Sequence, residues 1–361
     1  MSKILFICGP TASGKSDLAV QLALKYNGEI INADAMQCLK GLSIITNKIS
    51  ADEMKNVPHH MFNEIAWNSE FNVKIYTDRV VSIIQEILEQ NKLPIVVGGT
   101  NYYIQSLLFD NYTADDETNE SFNFEYDNDD LYEMLKNKCP EEADRYHPND
   151  ERKIKSALKR LSKKKNSKDE TVIRYPNAMV VIIKRDLEIL DSKIDKRAVF
   201  MIQNGAVEEV ERFLDSNKID KNDIDFTDSI FQSIGFREIV SYLNKIYNLE
   251  ELIQKIQVNT KRYARKQQSW FRNKLIPECQ DKDILVDEFS LDDLSKLYES
   301  VETWFNGGVP TLQMQKILKT EVKRYHCPKC PERIIIGLSE WNAHIKSSYH
   351  RKRKHDPNKS V

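Results

Sequence analysis

No apolar run in this chain approaches the roughly 20 residues that a bilayer-crossing helix needs, which excludes a helical membrane span. An excess of either charge is also lacking: 53 Lys and Arg stand against 55 Asp and Glu, a formal −2. That average argues against a uniformly basic nucleic-acid protein. Cysteine is scarce, six in 361 residues, and four of the six (Cys8, Cys38, Cys139 and Cys279) are scattered, as expected of inert packing residues in a reduced compartment. Internal repeats and long low-complexity tracts are absent. Met1-Ser2-Lys3 leads directly into Ile4-Leu5-Phe6-Ile7-Cys8, too short for a signal peptide and without a preceding Arg/Ser-rich transit segment. The expectation is a cytoplasmic protein, with nuclear or mitochondrial pools open to it. What the chain does have is length and 40% hydrophobic residues, enough for one large or two modest cores. Charged residues at 30% and a mean hydropathy of −0.55 keep it compatible with water.

The near-zero charge conceals a strong pattern. Residues 110–150 hold 14 acidic and 3 basic side chains, and the stretch Asp115 to Asp130 has no helical period, so it reads as a solvated insertion. Residues 151–174 reverse the balance with 10 basic against 3 acidic. There Ile154, Ala157, Leu158 and Leu161 recur at helical spacing. Lys163-Lys164-Lys165-Asn166-Ser167-Lys168 reads as a turn. Residues 261–274 hold 6 basic and no acidic side chains, and residues 315–361 hold 12 basic against 4 acidic. Three basic segments are therefore candidates for a polyanion footprint.

Strand-like and helix-like segments alternate over the first hundred residues. An apolar run ends at Cys8, further strand-like runs are Glu29-Ile30-Ile31-Asn32-Ala33 and Pro94-Ile95-Val96-Val97, and helices are predicted over about 15–26 and 73–90. This pattern predicts a P-loop parallel-sheet α/β core. Between the first strand and helix lies Gly9-Pro10-Thr11-Ala12-Ser13-Gly14-Lys15-Ser16, a full match to G-x4-G-K-[ST] in the context that motif requires. Its glycines let backbone amides turn around a phosphate, the helix N-terminus adds positive potential, Lys15 brings a charge and Ser16 can hold Mg²⁺. Most nucleotide-hydrolysing P-loop proteins place a carboxylate after a second strand to organise Mg²⁺. Here Val97 is followed by Gly98-Gly99-Thr100-Asn101, and the carboxylate comes instead in Asn32-Ala33-Asp34-Ala35-Met36-Gln37. Both segments end at the carboxyl edge of a parallel sheet, where such folds bind ligands. Taken alone, Asp34 also suits a helix N-cap and Thr100 an ST-turn.

In order along the chain these segments are followed by Val57-Pro58-His59-His60-Met61-Phe62, Gly98-Gly99-Thr100-Asn101-Tyr102-Tyr103, His147-Pro148-Asn149-Asp150, Gln232-Ser233-Ile234-Gly235-Phe236-Arg237 and Tyr263-Ala264-Arg265-Lys266-Gln267-Gln268-Ser269-Trp270. The series resembles the tRNA dimethylallyltransferases (tRNA isopentenyltransferases) over most of residues 1–275. The segment Ile45-Thr46-Asn47-Lys48 and the C-terminus resemble the eukaryotic branch. The resemblance implies transfer of a dimethylallyl group from dimethylallyl diphosphate to the exocyclic N6 of adenosine 37, in the tRNA anticodon stem-loop, by a monomer without membrane attachment. It implies that Gly9 to Ser16 bind the diphosphate, that Lys15, Arg237 and Mg²⁺ at Ser16 stabilise it as it leaves, that Thr100 hydrogen-bonds it and that Asp34 takes the N6 proton. The target base must be flipped out of its stack. The tRNA contacts implied are Asp34, Ala35, Met36 and Gln37 near the base, and Arg152, Lys155, Arg265, Lys266 and Gln267 on phosphates. Trp270 reads as a core residue. The chain has Ala35 and Leu39 where the family often has Ser and Tyr, and Lys155 where bacterial members have a second Arg. An adenylate prenyltransferase or small-molecule kinase acting on free nucleotides shares the loop and Asp34, but leaves the basic segments unused.

The remaining two cysteines open Cys327-Pro328-Lys329-Cys330, with His344 after 13 residues and His350 after 5 more. This is close to the C-x2-C-x12-H-x5-H spacing of RNA-associated fingers. Two thiolates on a turn and two imidazoles from a following helix predict a structural Zn²⁺ site, with Leu338 and Trp341 as its core. Arg351, Lys352 and Arg353 continue it as a basic, phosphate-seeking tail. The expected division is 1–112 (core, first part), 113–176 (helical tRNA-binding insertion), 177–310 (core, second part, with tRNA-binding helices) and 311–361 (finger and tail).

Overall fold

The computed structural model describes residues 2–110, 128–163, 172–227, 229–312, 314 and 323–352. Of the sequence expectations, most of the acidic stretch (111–127), the turn at 164–168 and Arg353 lie outside these residues, as does the side chain of Arg152. The chain forms two compact units, one of residues 1–114 with 171–317, the other of 115–170 with 318–361.

In the first unit the elements run β1 (Leu5–Cys8), α1 (Lys15–Tyr26), β2 (Gly28–Ala33), α2 (Ala35–Cys38), α3 (Ala51–Met54), β3 (His59–His60), α4 (Val73–Glu89), β4 (Leu93–Gly98) and α5 (Asn101–Leu108). The second unit holds α6 (Asn128–Lys138), α7 (Pro140–Ala143) and α8 (Glu151–Lys163). The chain then returns to the first unit with β5 (Met179–Lys184), α9 (Leu187–Gln203), α10 (Ala206–Asn217), α11 (Phe236–Leu243), α12 (Leu249–Trp270), α13 (Ile276–Asp281), β6 (Leu285–Ser290) and α14 (Leu294–Phe305). It ends in the second unit with β7 (Arg324–Tyr325), β8 (Ile335–Ile336), α15 (Leu338–Lys346) and α16 (Ser348–Lys352).

Six strands make one sheet in the order β3-β2-β4-β1-β5-β6, every pair parallel. Continuous apolar strands such as Leu5–Cys8 are buried on both faces, as a parallel sheet covered by helices requires. On one face Leu5, Ile7, Ile30 and Val97 pack with Leu18 and Leu22 of α1 and Leu297 and Val301 of α14. On the other, Phe6, Ile31 and Val96 pack with Tyr76 and Val80 of α4, Leu107 of α5 and Phe236 of α11. The register Cys8↔Gly98 and Ala33↔Gly98 ends β1, β4 and β2 at one level, so the three turns that follow converge at the sheet's carboxyl edge. Gly98 permits this closeness, because a Cβ there would lie 2.1 Å from the Ala33 carbonyl oxygen. The 22-residue α12 starts with an Asn248/Glu251 capping box and passes through a π-helical turn, Phe271–Leu275, into α13. Trp270 is half-buried against the core.

In the second unit α8 buries Ile154, Ala157 and Leu158 against Leu131, Tyr132 and Leu135 of α6, the face that its helical spacing specifies. Among the described residues no helix is long and apolar enough to cross a membrane.

Candidate functional site

A cavity of about 610 Å³ opens where the three turns converge. Thr11, Ala12, Gly14, Lys15 and Ser16 of the phosphate loop line it, while Gly9, Pro10 and the fully buried Ser13 form the loop's underside. Ala12 holds the left-handed conformation at φ 63°, a strained state for a residue with a Cβ and one that is found at ligand clamps. Asp34, Ala35, Met36 and Gln37 enter from the β2–α2 turn, Thr100 from the end of β4, Lys193 and Arg197 from α9, and Tyr263 from α12.

The sequence offered Asp34 both as an N-cap and as a reactive carboxylate, and the structure shows the cap and places the residue in the cavity lining. Its Oδ1 accepts the Met36 N–H at 3.1 Å, capping α2, and the side chain also lines the cavity. Buried Asn32 fixes the turn by donating to the Asp34 and Met61 carbonyls at 3.0 and 2.9 Å. Thr100 Oγ1 accepts the Ala35 N–H at 3.0 Å, so the β4 turn braces the residue beside Asp34. Leu39, where the family often has Tyr, is buried. The loop it begins is held instead by the Lys48 ammonium, which donates to the Leu39 and Gly41 carbonyls and to Asn63 Oδ1. Burial raises the Asp34 carboxyl above the usual aspartate range, against the pull of Lys15, the Met36 and Gln37 amides and Arg197. Burial likewise lowers Lys15 to about 8, Arg197 adding to the shift and Asp34 opposing it.

Arg197, to which the sequence assigned no role, also enters the cavity. Its Nη2 donates to Thr11 Oγ1 at 2.8 Å, and its side chain lines the cavity. Lys15, Lys193 and Arg197 thus line a cavity that Asp17, Asp34 and Glu53 also line, and the Asp34 carboxylate acts on both Lys15 and Arg197. Ser13 Oγ is buried without a hydrogen-bond partner. Cations clustered beside a phosphate loop fit a polyanionic ligand such as a diphosphate. Mg²⁺ could be met there by the exposed Ser16 hydroxyl at the start of α1, beside the carboxylates of Asp17 and Asp34.

In the second unit, Cys327, Cys330, His344 and His350 offer ligand atoms within 4.8 Å of one another. Cys327 Sγ lies 3.4 Å and Cys330 Sγ 3.9 Å from His350 Nδ1, which is 3.1 Å from His344 Nε2. Two sulfurs and two nitrogens at these separations fit a tetrahedral Zn²⁺ with bonds of about 2.0–2.3 Å. The expectation that one helix supplies both imidazoles is corrected. Residues six apart on a continuous helix, at about 100° each, would face away from one another. The helix breaks at Ser347, whose hydroxyl donates to the His344 carbonyl at 2.7 Å and accepts the His350 N–H at 3.1 Å, and α16 re-aims His350. Trp341 stacks on Tyr325 in the finger core, whereas Leu338, expected there, is 42% exposed.

The IPP transferase family model matches residues 37–274. The tRNA dimethylallyltransferase of Mus musculus is 34% identical over 96% of this chain and 85% of its own length. The chain belongs to the IPP transferase family. The tRNA dimethylallyltransferase of Caldanaerobacter subterraneus is 40% identical, over 75% of this chain and 89% of its own. A eukaryotic dimethylallyltransferase, solved acting on tRNA, superimposes with a TM-score of 0.78 at 26% identity, covering 98% of this chain and 96% of that one.

For this IPP transferase two site expectations need correction. Arg237 is exposed, outside the cavity lining, with its guanidinium 4.7 Å from the Phe226 ring centre. The guanidinium among the cavity's lining residues is that of Arg197. Gln267 is 2% exposed, and its side chain hydrogen-bonds the backbone of Thr11 and Gly99, so it is not free for RNA. Its neighbours differ: Lys266 is exposed, and Arg265 is exposed but paired with Asp191 at 2.7 Å. Gln37 lines the cavity while donating to the Thr46 and Asn47 carbonyls. Lys155 pairs with Glu151 at 2.5 Å, and Arg351 and Lys352 are exposed on α16.

Proposed function

We propose that this IPP transferase moves a dimethylallyl group from dimethylallyl diphosphate to the exocyclic N6 of adenosine 37 in the tRNA anticodon stem-loop, releasing diphosphate. The observation that supports this best is one cavity lined by a phosphate loop, by the cations Lys15, Lys193 and Arg197, and by the half-buried carboxylate Asp34. In the reaction the bond between the allylic carbon and the diphosphate oxygen breaks, and a bond from N6 to that carbon forms. Lys15, Arg197 and the loop amides hold the departing negative charge. Asp34 accepts the proton that N6 must lose, and Thr100, tied to the Ala35 amide, keeps the Asp34 turn in place while its hydroxyl faces the cavity. Mg²⁺ held by Ser16 would add charge neutralisation at the diphosphate.

Flipping the base costs a few kcal/mol, which RNA contacts must offset. We assign the donor chemistry to residues 1–112 and 177–310, and the grip on tRNA to the insertion at 113–176, to Arg265 and Lys266, and to the finger and tail at 311–361. Met36, Gln37 and Ala35 would meet the base and its neighbours. Zn²⁺ held by Cys327, Cys330, His344 and His350 would keep α15 and α16 folded and so present Arg351 and Lys352 to phosphates. We take the enzyme to act as a monomer in the cytoplasm.

Incubation with radiolabelled dimethylallyl diphosphate and tRNA, AMP or no acceptor tests the reading. Label is expected in tRNA alone, and label in AMP but not in tRNA would overturn it. Cys327→Ser is expected to raise the tRNA KM about 10-fold or more while kcat at saturating tRNA falls less than about 3-fold, as loss of phosphate contacts predicts. An unchanged tRNA KM would remove the finger from the RNA grip.

A further inference from the structure

Gln267 sits in a basic stretch, yet its side chain turns inward and both ends of its amide are used. Oε1 accepts the Thr11 N–H at 2.9 Å, and Nε2 donates to the Gly99 carbonyl at 2.9 Å. The amide orientation is fixed, since a backbone N–H only donates and a carbonyl only accepts. Position 99 is shaped for this contact: a Cβ on Gly99 would lie 2.2 Å from Gln267 Nε2. Thr11 is gripped from its other side by Arg197, whose guanidinium donates to the hydroxyl. One buried side chain on α12 therefore joins the first cavity-lining residue of the phosphate loop to the strand end that carries Thr100, and Thr100 in turn holds the Ala35 amide beside Asp34.

We infer that Gln267 is a positioning residue that locks the phosphate loop and the Thr100–Asp34 turn into one rigid assembly, setting the distance between the leaving diphosphate and the base. The inference rests on the transfer reaction proposed above. The Thr11 amide precedes the part of the loop that wraps a phosphate, so its bond to Gln267 fixes where that wrap begins. Gln267 itself touches no reacting atom. Its effect is exerted through Thr11 and Gly99.

Gln267→Met keeps the length and the helix preference of the side chain but forms neither bond, leaving the Thr11 N–H and the Gly99 carbonyl unpaired. It is expected to weaken binding of inorganic diphosphate with Mg²⁺, measured by calorimetry, about 10- to 100-fold, and to lower kcat by a comparable factor. The tRNA KM should stay within about 2-fold of wild type. Gln267→Glu gives a variant that does not depend on the Met protein folding. Its ionised carboxylate can accept from Thr11 but repels the Gly99 carbonyl, whereas its protonated form restores both bonds. Diphosphate affinity of this variant, divided by that of wild type at each pH, should recover as pH falls. The ratio cancels titration of Lys15, Asp34, Arg197 and Tyr263, which surround the site in both proteins. Wild-type diphosphate affinity in Gln267→Met, a pH-independent ratio in Gln267→Glu, or a tRNA KM that rises in step with the loss of kcat would overturn the assignment. Wild-type protein that binds diphosphate but fails to prenylate tRNA would instead defeat the proposed function and leave the lock, read by binding alone, standing.

Discussion

Asp34→Asn is expected to lower kcat for prenyl transfer about 10³-fold, in the range for loss of a general base, with tRNA affinity unchanged. Asparagine is the informative replacement because its carbonyl oxygen can still accept the Met36 N–H that Asp34 accepts at 3.1 Å. The turn built by Asn32 and Thr100 should therefore survive. What disappears is the ability to take a proton from N6, together with a negative charge near Lys15 and Arg197. With that charge gone the two cations attract diphosphate more strongly, so the donor KM should fall even as kcat collapses. The pH profile adds a second reading. Burial holds the Asp34 carboxyl above its usual range, and the ionised form is the working base, so wild-type activity should fall as pH drops through that raised value. The limb should vanish in Asp34→Asn. The same shift means that folding favours the protonated carboxyl, so the ionised group opposes stability at neutral pH, and the asparagine variant should unfold at or above the wild-type midpoint. Equal losses of tRNA binding and turnover would show Asp34 to be structural.

The core was legible because its signals are local. A buried run, a Gly-rich turn and an amphipathic helix in succession can be read as β1, phosphate loop and α1, and the strand-like runs at 28–33 and 93–98 read as members of a parallel sheet. Asp34 and Thr100 were found because each directly follows a strand, and parallel register brings strand ends to one edge. The finger ligands were legible from spacing, but the break at Ser347 was not: it depends on a side chain bonding the backbone on both sides, within a segment whose composition suits a continuous helix. Arg197 and Gln267 were hidden for a different reason. Both lie on long helices among other polar residues, and the residue types in Lys193-Ile194-Asp195-Lys196-Arg197 do not by themselves show that Lys193 and Arg197 line the cavity while Lys196 is exposed. Arg237 misled in the opposite way: the family resemblance implied a diphosphate contact, and the residue is exposed and outside the cavity lining. The nearest sequence clue to Gln267 was the second glycine of Gly98-Gly99, which makes room for its amide.

Arg197→Leu is expected to produce the second large effect, a fall of about 10²- to 10³-fold in kcat/KM for the donor, the range for removing one stabiliser of developing charge. The guanidinium donates to Thr11 Oγ1 and lines the cavity with Lys15, so its loss removes both a brace on the loop and a positive charge facing the leaving group. Lysine would not restore it, because an ammonium cannot grip Thr11 and diphosphate through a planar fork. The pH dependence separates the electrostatic part from the brace. Lys15 is lowered to about 8 by burial, with Arg197 as the neighbouring cation that adds to the shift. In the free enzyme Lys15 is charged below that value and neutral above it, so wild-type kcat/KM for the donor should decline as pH rises through about 8. Without Arg197 the ammonium is easier to keep, and the alkaline limb should move to higher pH although the plateau is lower. A structural brace alone would lower the plateau and leave the limb where it was. Measuring kcat/KM from pH 6 to 10 for wild type, Arg197→Leu and Arg197→Lys distinguishes the two, and a limb that moves to lower pH in Arg197→Leu would contradict the assignment of Arg197 to the diphosphate site.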